Sequence, residues 1–281
     1  MARSERSQWA RLDFDGVALL ADLASGISLG RVIDFEPGGL RCFGAHAASS
    51  SPLQVGEFSG SVARGASCNC SVLTLTPHAN GTHTESAAHL TAEPLNAYGV
   101  VPNRMLLAAL VTVEPELAAD AHESSLPVPH DADQLITRAA IERGWPAPPA
   151  PRLAARAAVI RTLPNAPDKF AGGGLAAPPP FLSSEAAAWL VERGIEHLVL
   201  DVPSADRIED GGKLTAHRLF FGLPPGSSRL AEARRRECTI TELAYVADVL
   251  RDGWYLLSLQ AVAIAGDAVP SRPLLYPLRA A

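Results

Sequence analysis

Three of the chain's eight histidines fall between positions 78 and 89, in the stretch Pro77-His78-Ala79-Asn80-Gly81-Thr82-His83-Thr84-Glu85-Ser86-Ala87-Ala88-His89. Neutral imidazole and carboxylate are the usual donors to zinc, manganese or iron, so this spacing marks a candidate metal site. Convergence is available in either backbone conformation. In a helical turn Glu85 and His89 are i,i+4 neighbours on one face; in an extended segment His83, Glu85 and His89 share parity and point the same way. Asn80-Gly81 is a turn signal that can fold His78 back toward His83, and Thr84 is a candidate N-cap for a helix through Glu85. A lone histidine is more often a surface or satisfied core residue. Three with an acid in so short a window favour a site over that bland alternative.

The elements around the cluster read as follows. Cys70 to Thr76 alternates apolar and polar residues and is expected to be a strand leading into the histidines. Up to about Gly65 the chain reads as an irregular arm with short strands at Ile27-Ser28-Leu29 and Arg41-Cys42-Phe43. Leu106 to Glu114 is expected as a buried strand stopped by Pro115, Asp131 to Arg143 as a helix ending at Gly144, and Ala155 to Thr162 as a strand. Leu163 to Pro180 reads as a long loop carrying Asp168, Lys169 and three consecutive glycines, and loops of that length are often functional. Ser183 or Ser184 caps a helix that Gly194 terminates. The following strand, Ile195 to Val202, delivers Asp201, Ser204 and Asp206 into a loop, a common way to line a site in α/β folds, with turn capping as the alternative role for the two aspartates. His217 comes later, then a long strand from Tyr255 to Ala265 and a proline-rich tail from Pro270 to Pro277. Strands follow one another irregularly with helices between some of them. The expected fold class is α/β, with a mixed sheet or partly open barrel flanked by helices in a single domain over residues 1–281, including the N-terminal arm of about 1–65.

Composition narrows the function. With 47% hydrophobic and 19% charged residues the chain is expected to be globular with a large core. A net charge of -6 and no basic stripe give no footprint for nucleic acid. No run of residues approaches a membrane span, and the polar opening has no secretory character. The four cysteines, Cys42, Cys68, Cys70 and Cys238, lack C-x-x-C spacing and read as buried free thiols. A cytoplasmic, reduced protein acting on a small molecule is the expectation. Neither a G-x-G-x-x-G nor a G-x-x-x-x-G-K-[ST] pattern is present, so nucleotide binding has no support.

The histidine stretch resembles the H-x-G-T-H-x-D-x-P-x-H signature of the cyclase family, which includes bacterial kynurenine formamidase and isatin hydrolase. Further resemblances occur in order: Val159 to Thr162, Phe181 to Leu190, Asp201-Val202-Pro203-Ser204-Ala205-Asp206, His217, and Asp267 to Pro273. The resemblance implies a swivelling α/β barrel assembled as homodimers or homotetramers. It implies His78, His83 and Glu85 as metal ligands, His217 as a ligand toward a second metal, and His89 as the acid/base histidine, with Glu85 also serving the reaction. Asn80, Ser204 and Asp206 would orient the substrate or the ligands. Zinc or manganese suits the donor set.

Several positions depart from the family pattern. One extra residue separates His78 from His83, so His78 either reaches round a bulge or yields its place to Asn80. Glutamate replaces aspartate at Glu85, and Ala87 stands at the proline. Direct alignment puts Thr241 where a glutamate ligand is usual, with Glu242 beside it, which counts against a second metal. The chain thus resembles a divergent subgroup with an H-x-N-G-T-H-T-E signature. The implied activity is metal-assisted hydrolysis of a small cyclic or aryl amide, with His89 exchanging the proton. Two rivals follow from the departures: a catalytically altered relative that binds a small ligand, and a metal-independent enzyme using His83, Glu85 and His89 for acid/base work.

Overall fold

The computed structural model describes residues 8–169 and 178–281. The three consecutive glycines expected in the long loop lie outside the described residues. Seven strands form the centre: β1 (His83–Glu85), β2 (Leu106–Val113), β3 (Ala157–Thr162), β4 (His197–Leu200), β5 (Thr239–Glu242), β6 (Gly253–Ala261) and β7 (Ala268–Ala280). Their hydrogen-bonded order is β1-β5-β4-β3-β2-β6-β7, and β7 pairs back onto β1, so the ring closes. The run β2-β3-β4-β5 is parallel and the remaining pairings are antiparallel. Five short helices accompany the barrel among the described residues: α1 (Pro77–Asn80), α2 (Ala97–Val100), α3 (Arg138–Gly144), α4 (Ser184–Glu192) and α5 (Thr215–Phe221). The fold is the mixed α/β barrel that the sequence leads one to expect.

Strand periodicity sorts the core into two layers. On β2, Leu106, Ala108 and Leu110 point inward to meet Val159 and Leu257 in the barrel interior. Ala109, Val111 and Val113 point outward against α3, α4 and α5. Both faces of β2 are therefore buried, which is why its sequence is almost unbroken in apolar residues. α4 begins where Ser183 Oγ accepts the Ala186 N–H at 2.9 Å and ends before Gly194, whose φ of 75° suits a residue without Cβ.

Several expectations are corrected. The N-terminal arm opens with an ordered hairpin, Trp9–Phe14 against Val17–Asp22. Asp15 and Gly16 both have positive φ, the two-residue turn that matches strand twist. The hairpin extends the sheet by pairing Leu19–Ala21 with the end of β7. Arg41 to Phe43 forms no strand. Gln134–Ile136, expected as the start of a helix, is a strand between Glu116–Leu117 and Phe181–Leu182. Burying Leu135 and Ile136 there overrides their helical spacing, and Thr137 caps α3 instead. The proline-rich tail is the longest strand, β7. Its prolines keep their carbonyls as acceptors, as when Leu29 N–H donates to Pro273 O at 2.8 Å. The strand before the histidines, Ser71–Thr74, pairs only with Ser49–Pro52 in a separate two-stranded ribbon, and all four of its residues are exposed. Cys68 and Cys70 are exposed there too, contrary to the expected burial.

Candidate metal centre

β1 and β5 run side by side with Glu85 opposite Ile240 and His83 opposite Glu242. Ile240 belongs to the core layer beneath the helices, so His83, Glu85 and Glu242 share the helix-facing side of the barrel wall. Thr84 and Thr241 face the other way, their hydroxyls 2.7 Å apart. Thr241 is thus turned from the site and its neighbour Glu242 takes the place. After Glu85 the chain makes a single 3₁₀ turn, Ala87–Leu90, capped by Ser86 rather than by Thr84. That turn presents His89 at the open side. α1 presents His78, and α5 lays His217 across the top.

The side chains converge closely. His217 Nε2 lies 2.8 Å from Glu85 Oε1 and 3.4 Å from Glu242 Oε1. His83 Nε2 lies 3.5 Å from Glu242 Oε2, and His78 Nδ1 lies 3.3 Å from Glu85 Oε2. His89 Nδ1 stands 3.9 Å from Glu85 Oε2 and 3.5 Å from Asp267 Oδ2. His78 Nε2 approaches the same Asp267 oxygen to 2.9 Å. His83, Glu85 and His217 are essentially inaccessible, while His78 and His89 are partly exposed, so the cluster opens on the side of the last two.

Neighbouring groups fix the orientation of two imidazoles. His83 Nδ1 sits 3.1 Å from Gly81 O, and His217 Nδ1 sits 2.7 Å from Asp206 Oδ2. Each contact suits an N–H donated from Nδ1, leaving Nε2 as the lone-pair nitrogen aimed inward. Asp206 also accepts the backbone N–H groups of Ala216 at 2.7 Å and His217 at 3.0 Å, anchoring the start of α5. Ser204 Oγ accepts the Asp206 N–H at 3.1 Å and so supports the loop. Asn80 is turned away: its Nδ2 donates to Leu40 O and His46 O, and its Oδ1 accepts the Thr76 N–H. Of the two arrangements open to the extra residue, then, the structure has His78 at the cluster and Asn80 as a brace of the arm. Gly81 is needed for close approach, since a Cβ there would lie 2.6 Å from Ile33 Cγ1.

Charge at the cluster is strongly interdependent. Burial opposes ionisation of Glu85, yet His89, His217 and His78 outweigh it and hold its carboxyl well below the usual range. Burial likewise works against a charged His217, and Glu85, Asp206 and Glu242 raise it well above an ordinary histidine. Burial would lower His78, but its bond to Asp267 and the charge of the neighbouring Glu85 push it up to about 10. The bonds from His78 and His89 hold Asp267 far below the carboxylate norm.

The donor set fits a divalent cation. His83 Nε2, His217 Nε2 and both Glu85 oxygens are buried and have no hydrogen-bond partner among the described residues. The 2.8 Å approach of His217 Nε2 to Glu85 Oε1 lacks the alignment of a hydrogen bond, so both atoms keep a lone pair or proton uncommitted. Two donors at about 2.1 Å from a tetrahedral ion stand about 3.4 Å apart, close to the separations above. Three overlapping sets meet the proximity needed for ligation: His78 with His83 and Glu85, Glu85 with His89 and His217, and His78 with His89 and Asp267. Glu242 and Asp267 join the cluster although the sequence reading did not assign them to it. The alternation Ile240, Glu242 along β5 is the signal that marks Glu242. Asp267 lies just before β7, far from the histidines in sequence.

A seven-stranded mixed barrel with a buried histidine and carboxylate cluster on its wall defines the class of protein. A family model described as "Putative cyclase" matches residues 22–207, and the chain belongs to that family. The fold is shared with solved structures at low identity. A predicted metal-dependent hydrolase from Bacillus stearothermophilus is 15% identical with a TM-score of 0.55, over 90% of this chain and 98% of that one. An isatin hydrolase bound to the product analogue thioisatinate is 16% identical with a TM-score of 0.55, over 91% and 93%. Isatin hydrolase A from Labrenzia aggregata, bound to benzyl benzoate, is 15% identical with a TM-score of 0.53, over 89% and 93%. A comparison with curated proteins finds no significant match.

Proposed function

We propose that the chain is a metal-dependent hydrolase of a small cyclic or aryl amide. The observation that carries this reading is that His83 Nε2, His217 Nε2 and both Glu85 oxygens are buried without partners, while His78, His83 and Glu85 lie close enough together to share one ion. His78, His83 and Glu85 would hold the cation, with His217 on the other side of Glu85, and zinc or manganese suits these donors. Bound there, the cation supplies Lewis-acid polarisation of a carbonyl and a water acidified toward a pKa of about 7. The chain's own residues do the rest. Asp206 and Gly81 O keep His217 and His83 in the donating tautomer. His89, partly exposed at the mouth, takes a proton from the nucleophile and returns it to the leaving nitrogen, with Asp267 holding the ring. The fold shared with isatin hydrolases supports an amide substrate.

Elemental analysis of protein purified without chelator tests this directly. A stoichiometric transition metal, lost in His83→Ala together with hydrolysis of isatin- or formanilide-type amides, is the expected result. Full hydrolytic activity in metal-free protein would sink it. We propose also a cytoplasmic setting, supported by four unpaired cysteines, and assembly as a homodimer or homotetramer. Assembly is supported by the isolated ribbon, where Val72 and Leu73 are 46% and 55% exposed. A two-stranded ribbon is marginal without a surface to pack on.

A further inference from the structure

The helix that carries His217 has a second face. Successive residues of a helix turn by about 100°, so Thr215 and Leu219 of α5 lie on the side away from His217. That outer side borders a cleft of about 450 Å³. Leu126, Leu219, Leu223 and Pro225 give it an apolar lining, and Lys213 and Arg218 are its charged members. Pockets for small ligands have volumes of about 300–1,000 Å³.

A frame of hydrogen bonds holds the cleft in shape. Thr215 Oγ1 donates to Leu126 O at 2.9 Å and joins the helix to the facing loop. Asp210 accepts the Gly212 N–H at 2.7 Å and the Leu214 N–H at 2.6 Å, fixing the turn that carries Lys213. Arg218 donates through Nε to Lys213 O and through Nη1 to Pro224 O and Ser227 O. It thereby stitches that turn to the segment after α5. Within this frame Leu126 and Leu219 stay 59% and 38% exposed, large apolar side chains kept open to solvent.

The charges of the cleft are of one sign. Among the described residues no acidic side chain lines it. The bonds of Arg218 to carbonyl oxygens leave its positive charge uncompensated, and Lys213 is exposed. Two cations and four apolar side chains thus share one cleft, in a chain whose net charge is -6. Such a lining complements a molecule with an apolar body and an anionic head. The body takes leucine surface out of water at about 25 cal/mol per Å², and the head meets the cations. A bare anion would leave the leucines wet, and an uncharged hydrocarbon would leave the cations unmatched.

We infer that this cleft is a second binding site, separate from the metal centre, for a small apolar carboxylate. Its hydrocarbon lies on Leu126, Leu219 and Leu223, and its carboxylate meets Lys213. The occupant rests against the back of the helix that presents His217.

Octanoate is the probe, with octan-1-ol as its uncharged counterpart and inorganic phosphate as an anion without the chain. Calorimetry on the intact protein should show saturable binding of one octanoate per chain, with octan-1-ol and phosphate both several-fold weaker. Lys213→Glu and Leu219→Glu, at exposed positions outside the metal centre, should each weaken octanoate by about tenfold, since each sets a carboxylate against the head. His83→Ala and chelator-treated protein should bind octanoate as before, because an octanoate held by a metal would be lost with it. Absence of saturable binding by the unmodified protein overturns the inference. So does equal binding by Lys213→Glu, or loss of binding in both His83→Ala and chelator-treated protein. Octan-1-ol or phosphate binding as tightly as octanoate overturns it as well. A dimer that dissociates in Leu219→Glu, while the unmodified chain binds no octanoate, assigns the cleft to a second copy of the chain and overturns the inference too.

Discussion

The carboxylate of Asp206 receives three N–H groups, two from the first turn of α5 and one from the His217 ring. Asp206→Asn preserves the shape but removes the charge that keeps His217 donating inward. Metal affinity should fall about 10–100-fold, the usual effect of losing such a partner, with the far-ultraviolet spectrum unchanged; competition against a chelator measures it. His78 and His217 have raised affinities for protons in the metal-free cluster, and a cation must displace those protons. Binding near pH 7 should release roughly two protons per ion, read by calorimetry in buffers of different ionisation heat. A different histidine sets acid sensitivity. His197 is buried beside Thr239, and burial, with Arg104 and Arg235, lowers it to about 4. The unfolded chain then binds a proton that the folded one refuses, so stability is intact above about pH 6.5 and falls as pH drops toward 4. The loss is of the order of 3 kcal/mol, and His197→Gln should flatten it in denaturant titrations across that window. The histidines were legible as residues because they are rare and crowded in sequence. Glu242 was not, because direct alignment pointed to Thr241, and a one-residue shift on a strand exchanges the two faces of the sheet.

At the scale of elements, the meeting of α1 and β1 is a tight joint. A Cβ on Gly81 would press within 2.6 Å of Ile33 Cγ1. Gly81→Ala should therefore lower stability by about 1–3 kcal/mol, the range for overpacking, and weaken the contribution of His78. Combining it with Ile33→Ala should recover part of the loss in thermal melts; no recovery would place the strain elsewhere. Strands buried on both faces, β2 and β3, were readable because their apolar runs are long. β7 was not, since three prolines argue against a strand, and its pairing with β1 and β6 depends on parts of the chain far away. The Asp131–Arg143 segment misleads for a related reason. Leu135 and Ile136 satisfy helical spacing locally, but burial between Glu116–Leu117 and Phe181–Leu182 decides their conformation.

For the whole molecule, the exposed ribbon of Ser49–Pro52 and Ser71–Thr74 predicts assembly. Light scattering coupled to size exclusion should report a dimer or larger, and Leu73→Asp together with Val72→Asp should shift it toward monomer; a monomeric unmodified chain would remove the proposal. The barrel carries a second consequence. β1 is three residues long, yet it alone joins β5 to β7 and completes the ring. Two of its three side chains, His83 and Glu85, belong to the cluster. Occupancy of the site and closure of the ring are therefore one thermodynamic event, and an ion present at a hundredfold its dissociation constant tightens the seam by about 2.7 kcal/mol. Amide hydrogens at Thr84, Thr241 and Val269 should exchange with solvent fastest when the site is stripped and slowest when it is filled. The barrel wall thus works as a gauge of its own cargo.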